Sequence, residues 1–171
     1  MVGGGVGAAI AYPVAAEHAR IGNRVVAVLG ARSADQLILE NELRSVCAEV
    51  LVCTDDGTRG EHGLVTEVLA RLIAREPIAL VMAVGPIPMM AAVAETTRPM
   101  AIPTTVSLNP IMIDGTGMCG GCRVNVGGAT RFACTDGPEF DAHLVDFAGL
   151  ALRNRAYLAF ERAACSLEEA Q

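Results

Sequence analysis

The stretch from Arg24 to Thr54 decides the fold: RVVAVLGARSADQLILENELRSVCAEVLVCT. Its two ends, residues 24–30 and 48–54, are short apolar runs rich in β-branched residues, which is typical of buried strands. Residues 33–46 begin with a serine that can cap a helix and carry leucines among charged residues, which predicts a helix. A strand, a helix and a strand in this order predict two parallel strands joined by a crossover.

The same alternation continues towards the C-terminus. Residues 63–76 and 88–97 predict helices, and residues 78–84 predict a third strand between them. The chain therefore predicts an α/β fold with a parallel sheet covered on both faces. At the N-terminus, only Met1 and Val2 precede a glycine-rich turn, which is followed by a predicted helix. We expect the strand that should lead into this turn to be missing, or nearly so.

Composition and charge exclude several classes of protein. The chain has 171 residues, of which 52% are hydrophobic, enough for the core of about one domain with a small appendage. Its net charge of -6 and its 13 scattered basic residues argue against nucleic acids and anionic membranes as partners. The longest apolar stretch, residues 78–94, is interrupted by a Gly-Pro turn and predicts no membrane span. No basic region precedes the N-terminal apolar stretch, so we expect a reducing, cytoplasmic location in which the cysteines are metal ligands or core residues.

The glycine-rich turn predicts a nucleotide site. Gly3, Gly4, Gly5 and Gly7, followed by Ala8, fit the pattern G-x-G-x-x-A. Glycines let the backbone approach a pyrophosphate, and the helix that follows offers unpaired N–H groups and a positive dipole end. The alternative is a glycine-rich turn without a ligand.

Further nucleotide contacts are predicted where the strands end, because ligands of open parallel sheets bind beyond the carboxyl ends of the strands. Gly85 and Pro86 follow the third strand, and Asp55 follows the second in an Asp-Asp-Gly sequence that equally predicts a turn. The acid expected after the strand at residues 24–30 is replaced by Arg32, which can meet a 2′-phosphate or remain solvated. The residues thus leave NAD(H) and NADP(H) both open.

Three cysteines and one acid lie close together after residue 101, where the alternation ends. Residues 102–115 predict one extended segment, and residues 122–134 predict a hairpin around a Gly-Gly turn. The spacing D-x4-C-x2-C-x11-C is that of plant-type [2Fe–2S] ferredoxins with aspartate at the first ligand position. The predicted iron ligands are Asp114, Cys119, Cys122 and Cys134. The glycines between them fit, because cluster sulfides need nearby backbone N–H donors and little side-chain bulk.

Two alternatives remain open for this segment. His143 or Asp114 could complete a structural zinc site with the three cysteines, or the cysteines could simply lie in a core or turn. The other three cysteines, Cys47, Cys53 and Cys165, are interpreted as core residues, and His18 and His62 as surface or helix-end residues. The tail from residue 146 to residue 170 predicts a helix.

Five segments carry a resemblance to a known family: GGGVGAAIAYP (3–13), GARSADQLILENE (30–42), CTDDGTRGEHGLVTEVL (53–69), AVGPIPMM (83–90) and the cysteine segment (114–147). Together they resemble the FAD- and NAD-binding electron-transfer subunits related to dihydroorotate dehydrogenase B. Within that family the small subunits of NADH-dependent reduced ferredoxin:NADP oxidoreductases, also called sulfide dehydrogenases, are the most similar branch. The resemblance extends from residue 3 to about residue 157.

The resemblance implies a ferredoxin-reductase-like, parallel-sheet nucleotide-binding lobe at residues 1–106, a small [2Fe–2S] cluster domain at 107–145 and a helical tail at 146–171. It supports aspartate as the first ligand, since that branch also has Asp there. It implies an oxidoreductase subunit that passes electrons between NAD(P)H, FAD and the cluster, with a larger flavin- and iron–sulfur-containing subunit and a ferredoxin-type carrier as partners. No side chain need act as an acid or base.

Such proteins begin with a β-barrel that binds most of the FAD, followed by the first strand of the lobe. We expect both to be absent here, which predicts little FAD binding by these residues alone and a gap or an exposed edge in the sheet. The functional alternative is a nucleotide-binding regulatory or structural domain with a zinc knuckle.

Overall fold

A computed structural model describes residues 1–161 of the chain. The strands are β1 Val2–Gly4, β2 Val26–Ala31, β3 Glu49–Thr54, β4 Glu61–His62, β5 Val81–Val84, β6 Thr104–Ser107, β7 Arg123–Val126, β8 Ala129–Phe132 and β9 Glu139–Asp141. The helices are α1 Gly7–Arg20, α2 Glu40–Val46, α3 Val65–Arg75, α4 Ile87–Thr97, α5 Ala133–Asp136 and α6 Phe147–Asn154.

Seven strands form one sheet in the order β4-β3-β2-β1-β5-β6-β9. All neighbours in it are parallel except β9, which pairs antiparallel with β6. Strand β2 shows how both faces are covered: Val26 and Val28 belong to one apolar cluster, whereas Ala27 and Leu29 belong to the other. Successive side chains of a strand point to opposite faces, so helices must pack on both sides, as predicted.

The first strand, expected to be missing or nearly so, is short but present, and the expectation of a gap in the sheet was wrong. Strand β1 is only three residues long, but it lies at the centre of the sheet and pairs with both β2 and β5. Backbone hydrogen bonds extend this pairing at each end, from Val28 N to Met1 O at 2.8 Å and from Gly5 N to Gly30 O at 2.8 Å. The predicted gap in the middle of the sheet therefore does not exist.

The helix predicted over residues 33–46 is divided into two parts. A 3-10 turn covers Ala34–Gln36, Leu39 adopts a left-handed conformation with φ 59°, and only then does α2 begin. Both parts are tied to the loop after β3: Ala34 N–H in the first part donates to Thr58 Oγ1 at 2.9 Å, and Glu40 at the start of α2 forms an ion pair with Arg59 at 3.0 Å. The predicted extended segment is also shorter, since only Thr104–Ser107 within it forms a strand.

The other predicted elements of the lobe are present, and the hairpin is formed by β7 and β8. Gly127 and Gly128 make its turn with φ values of 60° and 79°, which only glycine adopts easily. Helix α6 follows, so the described beginning of the tail is helical as predicted, while residues 162–171, including Cys165, lie outside the described residues. Within residues 1–161, no helix has the length and apolar character needed to cross a membrane.

Candidate nucleotide and iron–sulfur sites

The two glycine turns predicted to bind a nucleotide meet at one edge of the sheet. Gly4 ends β1 and Gly85 follows β5, which are neighbouring parallel strands. A Cβ atom added to Gly85 would lie 3.2 Å from Gly4 Cα, and one added to Gly4 would lie 3.2 Å from Pro86 Cδ. Gly5 follows in a left-handed conformation, φ 54°, with open space where a Cβ would lie. Gly5 and Gly85 are half-buried and Val6 is exposed, so the accessible main chain lies at Gly5 and Val6 beside the N-terminus of α1, where a pyrophosphate can approach.

Gly3 and Gly7 allow close packing of α1 against the sheet. A Cβ on Gly3 would lie 3.2 Å from Ala8 Cα and 3.3 Å from a methyl group of Leu29. A Cβ on Gly7 would overlap the carbonyl oxygen of Val84 and lie 2.6 Å from its carbonyl carbon. These two glycines therefore set the distance between helix and strands, and their direct contact with a nucleotide remains a prediction.

Met89 is a residue of this site that sequence reasoning missed. Its half-buried side chain lies over both glycine turns: Sδ would be 3.0 Å from a Cβ on Gly85 and would overlap one on Gly4. The signal that could have found it is its position four residues after Gly85, because the first turn of a helix after a strand faces the carboxyl edge of the sheet.

Arg32 and Asp55 follow adjacent strands at the same edge. Asp55 N–H donates to Ala31 O at 3.0 Å and Asp56 N–H donates to Arg32 O at 3.1 Å, so the two strand ends are joined. Both side chains are exposed, and within residues 1–161 the Arg32 guanidinium has no hydrogen-bond or ion-pair partner. The Asp-Asp-Gly sequence also makes the predicted turn, because the Asp56 carboxylate accepts from Thr58 N at 3.0 Å.

The β7–β8 hairpin brings two of the predicted iron ligands together. Cys122 precedes β7 and Cys134 follows β8, and their sulfur atoms are 3.2 Å apart. Ala133 N–H donates to Cys122 O at 3.1 Å, which closes the base of the hairpin. Cys122 is buried and Cys134 half-buried. At this separation both sulfur atoms can reach one common metal ion once the thiols are deprotonated.

The other two predicted ligands form a second pair at the surface. Asp114 and Cys119 are both exposed. Hydrogen bonds lower the pKa of the Asp114 carboxyl, first that from the Thr116 backbone at 2.8 Å and then that from the Cys119 side chain. Gly121 N–H in turn donates to Cys119 Sγ at 3.3 Å. In the buried pair, the hydrogen bond with Cys122 raises the pKa of Cys134.

Two pairs of ligands fit a binuclear cluster better than a single ion. A zinc site surrounds one ion with four donors, whereas a [2Fe–2S] cluster has two irons that are each held by two protein ligands. Among residues 1–161, no three His, Cys, Asp or Glu side chains converge closely enough to hold one metal ion. His143, the alternative zinc ligand, instead has its Nε2 3.0 Å from Thr97 Oγ1 on α4. Three thiols and one carboxylate at the ferredoxin spacing are a donor set that can hold a [2Fe–2S] cluster.

The remaining described cysteines are structural. Cys53 is buried in β3, and burial raises the pKa of its thiol to about 11. Cys47 is half-buried against the apolar cluster beneath α1 and α2, and burial raises its pKa as well. Neither thiol is prepared to bind a metal. The core interpretation is confirmed for both residues.

Comparison with known proteins places these sites in a family. Residues 1–95 match the family described as oxidoreductase NAD-binding domain. The chain belongs to this oxidoreductase NAD-binding family. Residues 109–146 match the iron–sulfur cluster binding domain of dihydroorotate dehydrogenase B, a range that contains all four predicted ligands. The predicted order, a nucleotide-binding α/β domain followed by an iron–sulfur domain, is thereby confirmed.

Individual relatives agree with this assignment. A Thermotoga maritima protein described as a dihydroorotate dehydrogenase B (NAD(+)) electron transfer subunit homolog is 46% identical over 157 residues, 92% of this chain and 55% of the relative. A Clostridium beijerinckii protein is 43% identical over 169 residues, 98% of this chain and 57% of the relative. A solved chain of an NADH-dependent reduced ferredoxin-NADP oxidoreductase superposes with a TM-score of 0.84 at 43% identity, covering 95% of this chain and 60% of that one. The chain thus spans little more than half the length of these relatives, and the resemblance found in the sequence is confirmed.

Proposed function

We propose that this chain serves in an electron-transfer subunit that passes electrons between NAD(P)H, FAD and a [2Fe–2S] cluster to a larger partner oxidoreductase subunit. The observation that carries the proposal is the arrangement of four potential ligands in two pairs within residues that match an iron–sulfur domain. The zinc alternative with His143 as the fourth ligand lacks this support, because His143 Nε2 contacts Thr97 Oγ1 on α4; metal analysis distinguishes the cluster from the zinc form with Asp114.

Asp114 and Cys119 are proposed to hold one iron, and Cys122 and Cys134 the other. When bound, the cluster supplies one-electron chemistry, while the protein sets its position, exposure and potential. The buried pair fixes the cluster to the hairpin base, and the exposed pair leaves its other side near the surface. An exposed side is what electron exchange with a partner requires.

The nucleotide is proposed to lie across the ends of β1 and β5. Its pyrophosphate would rest on Gly4, Gly5 and the N-terminus of α1, with Gly85 and Pro86 along the opposite side. Arg32 and Asp55 would then face the adenosine ribose, whose 2′ position distinguishes NADP from NAD. Arg32 can meet a 2′-phosphate and Asp55 a ribose hydroxyl, so both NAD(H) and NADP(H) are candidates.

The remaining parts of the proposal come from the relatives. Their names describe electron-transfer subunits, which supports a larger redox subunit as the partner. FAD is proposed for the complete assembly, and a ferredoxin-type protein as a further electron carrier. The functional divisions are proposed as residues 1–106 for the nucleotide, 107–145 for the cluster and 146–171 for the tail.

Metal analysis tests the proposal directly. Protein purified without oxygen should be red-brown and contain two irons and two sulfides per chain, with an electron paramagnetic resonance signal after reduction by dithionite. NADH or NADPH should bind more tightly than ATP. A colourless protein that contains zinc instead of iron would overturn the cluster assignment, and equal affinities for all three nucleotides would overturn the nucleotide site.

A further inference from the structure

Helix α6 braces the loop that carries the cysteines. The half-buried Arg153 donates from Nη2 to Gly121 O at 3.2 Å, and the Asn154 side chain donates to Asn109 O at 3.0 Å. The helix itself is fixed to the hairpin, because Asp146 N–H at its start donates to Asn125 O at 2.9 Å. These bonds hold the segment from residue 109 to residue 122 at both ends.

A second arginine binds the same loop at the neighbouring carbonyl group. Arg123 Nη1 donates to Gly120 O at 2.8 Å. Gly120 and Gly121 are the two residues between Cys119 and Cys122. Both carbonyl groups inside the C-x2-C sequence are therefore bound by guanidinium groups.

These two bonds determine which way the loop N–H groups point. In a trans peptide the C=O and the N–H of the same unit face opposite directions. Binding of Gly120 O thus turns Gly121 N–H away from Arg123, and that N–H indeed donates to Cys119 Sγ at 3.3 Å. Binding of Gly121 O likewise turns Cys122 N–H away from Arg153. Neither N–H group is turned towards an arginine, and that of Gly121 already donates to sulfur. Hydrogen bonds to sulfur are among the factors that set a cluster's potential.

We propose that Arg153 and Arg123 are positioning residues that raise the reduction potential of the cluster, by fixing these two peptide planes and by adding positive charge. The inference rests on the proposed function. Reduction adds one negative charge to the cluster, and both N–H donors and cations stabilise the more negative state. Arg153 has the larger effect, because its half-buried charge is screened less by solvent than the exposed charge of Arg123.

Redox titration of the full chain, followed by electron paramagnetic resonance, tests the proposal. Arg153→Gln should lower the reduction potential of the cluster by about 59 mV. For a one-electron couple, this shift changes the ratio of reduced to oxidised cluster about tenfold at a given solution potential. Arg123→Gln should shift it less in the same direction, and the double variant more than either. Arg153→Lys, which keeps the charge but not the planar donor, should fall between the wild type and Arg153→Gln. Arg155→Gln is the matched control, because it removes an exposed positive charge just beyond the end of the same helix without touching the loop.

An Arg153→Gln potential equal to that of the wild type or of Arg155→Gln would overturn the proposal. If Arg153→Gln takes up no cluster, unshifted potentials in both Arg123→Gln and Arg153→Lys overturn it. Iron and sulfide analysis of the wild type keeps this outcome separate from failure of the proposed function. A wild type without iron refutes the function, whereas a loaded wild type with unshifted variants refutes only the role of the arginines.

Discussion

Replacing Gly7 with alanine tests whether α1 lies as close to β5 as the structure places it. The new Cβ would overlap the carbonyl oxygen of Val84 and lie 2.6 Å from its carbon and 3.0 Å from Gly85 N. These are main-chain atoms at the end of a central strand, so the helix must move away from them. Overpacking of this kind destabilises a protein by about 3 kcal/mol, the upper end of the range usual for such substitutions. Alanine regains about 1 kcal/mol of helix propensity, which leaves a net cost of about 2 kcal/mol. For a chain of this size that lowers Tm by about 4–8 °C.

Thermal unfolding followed by circular dichroism measures this effect, with nucleotide titration on the same samples. Gly149→Ala is the matched control in the first turn of α6, because the atoms nearest to its Cβ would belong to the Asp146 side chain and not to the main chain. Asp146 caps this helix by accepting from Gly149 N–H at 2.9 Å, and the cost of about 1 kcal/mol for disturbing the cap is offset by about 1 kcal/mol of helix propensity. The Tm of Gly149→Ala should change by no more than about 2 °C. NADH affinity should fall in Gly7→Ala, since the displaced N-terminus of α1 forms part of the proposed pyrophosphate site. A Tm that rises, as helix propensity alone predicts, or that equals the control would refute the close contact.

Three further substitutions address the other sites. Asp114→Ala should lose the cluster or make it labile, whereas Asp114→Cys should keep two irons but change the potential and spectrum, since ligand type sets both; a wild-type spectrum and potential in Asp114→Ala would exclude the carboxylate as a ligand. The His143→Ala protein should keep its iron but lose the hydrogen bond to Thr97, which is worth about 1 kcal/mol, so its Tm should fall by about 2–4 °C. Loss of iron from this variant would instead identify His143 as a metal ligand. If the Arg32 guanidinium meets the 2′-phosphate, Arg32→Ala should weaken the binding of NADPH about tenfold, because a hydrogen bond to a charged group is worth about that much, and should leave the binding of NADH unchanged. An NADPH affinity equal to that of the wild type would show that Arg32 does not contact the nucleotide.

The parts of the structure that follow from local patterns could be predicted from the sequence. The apolar run in β2 must be buried on both faces, and the alternation of its side chains between two clusters shows that it is. The spacing of Asp114, Cys119, Cys122 and Cys134 is equally local, and the hairpin turn at Gly127 and Gly128 brings the last two together. Glycine turns and ligand spacings specify their geometry within a few residues.

The parts that depend on distant contacts could not be predicted. Strand β1 has too few residues to show a periodic pattern, and it exists because β2 and β5 offer hydrogen bonds on both sides. Residues 33–39 have helical composition, yet Ala34 is bound by Thr58 from the next loop. Arg153, more than thirty residues after Cys119, has no sequence signal at all for its contact with the cysteine loop.

The same sheet that creates the nucleotide site also positions the proposed cluster. Strand β5 ends at Gly85, β6 lies beside it, and β9 from the iron–sulfur domain pairs with β6 from Thr105 to Ser107. Beyond β9, the His143 contact with Thr97 joins the iron–sulfur domain to α4, the helix that begins after Pro86. The first steps are strand pairings within the sheet and the last is a side-chain contact with α4, so both domains are held by the same sheet and helix. If the chain carries electrons as proposed, its contribution is to hold the cofactors at a fixed distance, and β9, which joins the iron–sulfur domain to the sheet, would serve that function as directly as the ligands.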